Sequence, residues 1–119
     1  MWGVFLFIYM CSMKTFDFDN LISAERLVLI DFYATWCGAC GAIDDALDRV
    51  ALSMGDVVTL VRIDTTSRSS FELVRRYNVV ALPTLMLFSR GRVLWRECGL
   101  ITFERLQNVV RRYHAAGLY

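Results

Sequence analysis

The sequence predicts an α/β domain with a central mixed sheet of four to five strands flanked by helices. Three observations lead there. Residues 27–34, apolar except for one acid, read as a strand covered on both faces, and residues 57–63, rich in Val, as a second buried strand. Helix-periodic segments alternate with them. A turn at Ser89-Arg90-Gly91 then joins two more strands as an antiparallel hairpin.

The chain has 119 residues, 56% of them hydrophobic, which suffices for one core. No repeat, low-complexity tract or linker divides residues 14–119, so they are expected to form a single domain. A net charge of +1 gives no reason to expect nucleic acid or an acidic substrate, and Arg75-Arg76 and Arg111-Arg112 are expected to be solvated helix faces. The four cysteines are too few and too unevenly spread for a disulfide framework. No metal is expected either: a zinc site needs more ligands at close spacing, and the single histidine, His114, is near the end of the chain.

Residues 1–13 are almost wholly apolar, but the run is about half the length of a membrane-spanning helix. It also lacks the basic start and small-residue cleavage site of an export signal. Three readings stand for this extension: upstream residues preceding a true start at Met13, a truncated export or anchoring segment, or an edge strand. A short extended piece is expected near Thr15-Phe16, then a short helix from Asp17 to Ser23. The first buried strand follows, with Asp31 as its one acid.

After it, Ile43, Ala46, Leu47, Val50, Ala51 and Met54 recur at helical spacing, with Asp44, Asp45, Asp48 and Arg49 outside, so one helix is expected to end near Gly55. The second buried strand ends at Asp64. Ser67 to Ser70 offer caps for a helix through Tyr77, with Asn78 as its stop. Pro83, the only proline, precedes a strand from Thr84 to Phe88, and Val93 to Glu97 returns beside it. Thr102 is placed to cap a last helix whose Phe103, Leu106, Val110 and Tyr113 share a face.

The stretch Trp36-Cys37-Gly38-Ala39-Cys40 joins the first buried strand to its helix. Cysteines two residues apart at a helix start can open and close a small disulfide ring. The outer one, Cys37, meets unpaired amides and the positive end of the helix, which favour its thiolate. Cys40, about one turn inside, is expected to be more buried and to keep its proton longer. The pair divides into attacker and resolver.

From Asp31 to Cys40 the residues closely resemble the active-site stretch of the thioredoxin family, and Leu82-Pro83-Thr84 resembles its proline loop. Gly91 and Gly99 fall where the family has glycines in its hairpin and before its last helix. The resemblance covers residues 14–115. It implies a thioredoxin fold and a protein-disulfide reductase using a Cys37/Cys40 dithiol-disulfide cycle, with no other cofactor. Asp31 is then the buried acid behind Cys40, raised in pKa by desolvation and able to take its proton. The resemblance also implies a cis Pro83 and a docking groove bordered by Trp36, Gly38, Ala39, Ala81, Leu82, Pro83 and Gly99. Expected partners are disulfide-containing client proteins and a thioredoxin reductase or equivalent dithiol donor, the chain itself being monomeric. The expected compartment is cytoplasmic, with membrane-anchored or periplasmic placement through residues 1–13 as the alternative. A binding module that holds partners in the groove without turnover is the competing reading.

Three departures from the family pattern matter. Ala39 replaces the usual proline between the cysteines, which restores an N–H and frees φ. A less strongly reducing couple is expected. Gly41 and Leu60 stand where many members have lysines, and Asp44 adds an anion, so the Cys37 pKa is expected to be less depressed. Asp45 replaces a kinking proline, which predicts a straighter helix.

Overall fold

The computed structural model describes residues 8–10 and 15–117. Its strands are β1 (Ile8–Met10), β2 (Leu27–Tyr33), β3 (Val58–Asp64), β4 (Thr84–Ser89) and β5 (Arg92–Cys98). The helices are α1 (Thr15–Ile22), α2 (Gly38–Ala42), α3 (Asp44–Ser53), α4 (Phe71–Arg76) and α5 (Phe103–Ala115), with a 3-10 turn at Arg68–Ser70 before α4. The sheet order is β1-β3-β2-β4-β5. β3 is parallel to β1 and β2, whereas β4 is antiparallel to β2 and β5. The expected mixed sheet is therefore present. Of the apolar extension, Ile8–Met10 lies at the sheet edge beside Val61–Ile63, and the rest is outside the described residues.

Two-residue alternation splits the strands between two cores. On one face Leu27, Leu29, Val58, Leu60, Leu85 and Leu87 pack under α3 and α5 through Leu47, Val50, Leu106 and Val110. On the other, Val28, Ile30, Phe32, Val61, Ile63, Met86 and Phe88 meet Phe18 and Ile22 of α1 and Leu73 of α4. Burial on both sides explains why both runs are apolar apart from Asp31, Thr59 and Arg62.

The structure corrects the sequence reading in three places. Thr15-Phe16 is the first turn of α1 rather than an extended piece: residues 15–22 form one continuous helix, whose Phe18 and Ile22, four apart, share the face that enters the core. Neither Ser67 nor Ser70 makes a side-chain cap; the 3-10 turn bonds through backbone, Ser70 N–H to Ser67 O at 3.0 Å. The third correction concerns the helix expected to run straight from the cysteines. It breaks at Ile43 (φ −95°, ψ −1°), between α2 and α3. Gly38 and Gly41 give the five-residue α2 little intrinsic helical stability. Beyond it, Ile43 drops into the core, and the chain restarts with Asp44 ion-paired to Arg62 of β3. A break therefore forms here without proline.

Other stops follow from backbone chemistry. Asn78 ends α4 at φ 50°, the left-handed region that Asn tolerates. Arg90 and Gly91, at φ 53° and 79°, make the two-residue turn between β4 and β5, with the positive φ values that match strand twist. Thr102 caps α5 by accepting the Arg105 N–H at 3.1 Å.

Candidate active site

Sheet connectivity brings two loops to one end of the molecule. The chain leaves β2 at Tyr33 into the cysteine stretch, and it enters β4 at Thr84, which pairs with Phe32. The loop carrying Pro83 thus arrives where the cysteines begin.

The Cys37 N–H donates to Ala34 O at 3.1 Å, turning the chain sharply. Cys37 then sits as the extended N-cap of α2 (φ −88°, ψ 108°), and its Sγ accepts the Cys40 N–H at 3.1 Å. The two cysteines form a disulfide with Cα atoms 5.3 Å apart, inside the ordinary range. Cys37 is half-buried, whereas Cys40 is only 2% exposed. With α2 so short, the amide aimed at Sγ supplies the local stabilisation for a thiolate, more than any long helix dipole. One sulfur can be reached from outside and the other is shielded.

Asp31 belongs to the α3/α5 face and is fully buried. Burial pushes its pKa up to about 6, against the pull of the Arg62 charge and hydrogen bond; Asp44 adds a smaller upward push. Arg62 is its cross-strand neighbour in the β2/β3 register and donates Nε–H to Asp31 Oδ2 at 2.9 Å. Arg62 Nη2 also lies 2.7 Å from Asp44 Oδ1, and the guanidinium stands 4.6 Å from the Tyr33 ring centroid. A cavity of about 270 Å³ beside the disulfide is lined by Tyr33, Ala34, Thr35, Cys37, Cys40, Gly41, Asp44 and Arg62. Asp31 is absent from that lining.

The Leu82–Pro83 bond is cis, and Pro83 is buried. Thr84 Oγ1 donates to Ala81 O at 2.6 Å, and the Gly99 N–H donates to Pro83 O at 2.9 Å. Gly99 adopts φ 91°, where a side chain would be strained. Ala81 and Gly38 are exposed, and Ala39 and Leu82 are half-buried. Trp36 is 73% exposed, so it is not a core residue.

The structure therefore joins Cys37 to Cys40, Asp31 to Arg62, and Pro83 to Gly99, in three local groups. Sequence reading missed Arg62, which sat unremarked inside an apolar strand. Its signal was available: a lone cation in one buried strand and a lone acid in the other point to a pair. Val80 and Leu100, both strongly exposed, were also missed, because single apolar loop residues carry no periodic signal. Among the described residues no group of three or more His, Cys, Asp or Glu is arranged to hold a metal ion.

Comparison with known proteins agrees with this arrangement. The family model described as Thioredoxin matches residues 9–112. A chloroplastic thioredoxin Y of Oryza sativa subsp. japonica is 39% identical over 95 residues, covering 78% of this chain and 55% of the rice protein. The chain thus spans little more than half the length of that relative. A thioredoxin of Bacillus subtilis is 34% identical over 91 residues, covering 76% of this chain and 86% of its own. Among solved structures, a mutant thioredoxin from Halobacterium salinarum superposes with a TM-score of 0.77 at 27% identity, covering 90% of this chain and 89% of that one. A family match across most of the sequence, and a bacterial relative matched over most of its own length, lead to one assignment: the chain belongs to the thioredoxin family.

Proposed function

We propose that this chain is a protein-disulfide reductase. The observation that carries the reading is the Cys37–Cys40 disulfide, with its outer sulfur half-exposed under an amide donor and its inner sulfur buried. In the reduced protein the Cys37 thiolate attacks one sulfur of a client disulfide, and the client S–S bond breaks with its electron pair on the departing sulfur. Cys40 then loses its proton and attacks Cys37 Sγ. The mixed disulfide breaks, the second client thiol leaves, and the internal disulfide reforms. Two electrons have passed to the client, and a dithiol donor such as a thioredoxin reductase restores the pair.

Asp31 is proposed as the base that takes the Cys40 proton; its burial and raised pKa support the role. An extended client segment is proposed to lie against Trp36, Gly38, Ala39, Ala81, Leu82, Pro83 and Gly99, with Val80 and Leu100 extending the apolar surface. The domain is proposed to run from residue 14 to 119, with β1 added at its edge. Deletion of residues 1–13 that abolishes cooperative unfolding would make β1 integral instead. We place the protein in the cytoplasm, where reducing conditions preserve the exposed free thiol of Cys98. None of the helices among the described residues is long and apolar enough to cross a membrane.

The test is dithiothreitol-driven reduction of insulin. The wild type is expected to accelerate it and Cys37→Ser to be inactive. Equal rates would leave a module that binds without turnover.

A further inference from the structure

Charged side chains are almost absent from the buried rows of β2 and β3, yet one opposed pair, Asp31 and Arg62, is charged on both strands. Burying two ions is costly unless each finds partners. Among the described residues Arg62 meets Asp31 and Tyr33 on β2 and Asp44 on α3. It is 7% exposed, so these contacts hold it in place.

Two details give the cluster a direction. Asp31 uses Oδ2 for Arg62, whereas Oδ1 has no hydrogen-bond partner among the described residues. The cavity beside the sulfurs is walled by Arg62 and Asp44 but not by Asp31. The guanidinium thus borders the space beside Cys40 while it holds the buried carboxyl by one oxygen.

We propose that Arg62, anchored by Asp44, is the positioning residue of the proton-transfer step: it pins Asp31 by Oδ2 and leaves Oδ1 to take the proton of Cys40. The inference rests on the reductase reading above. In the step, the Cys40 Sγ–H bond breaks and its proton bonds to Asp31 Oδ1. The freed electron pair on Sγ attacks Cys37 Sγ, and the bond from Cys37 to the client sulfur breaks with its electrons on the client.

Asp44 gives the step its reversibility. Once Asp31 is neutral, a buried guanidinium without another anion would be stranded at large cost. The Asp44 carboxylate keeps Arg62 paired in both protonation states. The same pairing offsets the anion at position 44, and Arg62 supplies a cation where Gly41 and Leu60 have none. Asp48, raised in pKa by slight burial and by Asp44, with Arg62 opposing and Asp45 adding a smaller upward push, also feels the cluster.

Carbon-13 NMR of the Asp31 carboxyl in full-length protein, titrated from acid to alkaline pH, tests the proposal without relying on activity. Arg62→Met is expected to move the Asp31 midpoint up by about one to three pH units, the usual effect of an adjacent cation. The acid limb of the insulin-reduction profile should move with it, so that rate lost at neutral pH returns in alkali. Arg62→Lys should bring the midpoint most of the way back to the wild-type value. Asp44→Asn should move the midpoint the other way, because protonating Asp31 then strands Arg62.

An unmoved midpoint in Arg62→Met, or an upward one in Asp44→Asn, would overturn the proposal. If Arg62→Met does not fold, the direction seen in Asp44→Asn decides alone. A wild type without insulin reduction would defeat the reductase reading, while the titration would still report whether Arg62 holds Asp31.

Discussion

On the α1/α4 face of the sheet, Val28, Ile30 and Phe32 of β2 lie with Val61 and Ile63 of β3 and Phe88 of β4 under Phe18 and Leu73. One residue along each strand, on the α3/α5 face, Asp31 meets Arg62. The first face is closed by aromatic edges: Phe18 and Tyr77 stand 5.6 Å and 5.4 Å from the Phe88 ring in edge-on contacts. The second is equally apolar at Leu27 and Leu29 but turns ionic at the strand ends, where α2 and α3 part at Ile43. The same two strands therefore carry an apolar scaffold on one side and a buried ion pair near the Cys37–Cys40 disulfide on the other. Stability and chemistry are separated by a single step in register.

That separation can be broken most severely from the apolar side. Phe88→Ala is expected to lose about 3–5 kcal/mol, the usual cost of emptying a buried aromatic site. Urea denaturation should show the loss, and the Asp31 titration of the variant should stay where it was; a moved midpoint would mean that the faces are coupled.

The charged side should behave in the opposite sense. Asp31 has a folded pKa of about 6 against the ordinary 3.8 of an aspartate carboxyl, so the native state holds its proton more tightly than the unfolded chain does. Stability therefore falls as pH rises from about 4 to 6 and remains lower above that window. Asp31→Asn, with Arg62 still paired to Asp44, removes the penalty. Chemical denaturation should show a gain of up to about 3 kcal/mol near pH 8 that disappears near pH 4. A gain independent of pH would point to packing instead.

A smaller effect should come from the helix covering the charged face. Thr102→Ala removes the α5 cap and should cost about 1 kcal/mol in thermal or urea unfolding, with the insulin assay little changed. Smallest in stability, and confined to the redox couple, is Ala39→Pro. Glutathione equilibration should give this variant a lower reduction potential than the wild type, and an equal or higher value would remove Ala39 as the cause of a weaker reductant.

Local rules were enough for much of this molecule. Apolar runs marked strands buried on both faces, Thr102 and Asn78 marked helix limits, and two cysteines after a strand marked the reactive turn, because each depends on neighbours within a few residues. Departures arose where a residue's role depended on something distant in sequence. Ile43 breaks its helix because its side chain goes to the core while Asp44 goes to Arg62. Arg62 matters because strand register sets it against Asp31, 31 positions away. Sequence by itself determined most of the elements, the cysteine pair and the family resemblance. Only the tertiary structure decided which charges share a buried space, since burial and pairing are set by packing across strands and not by order along the chain.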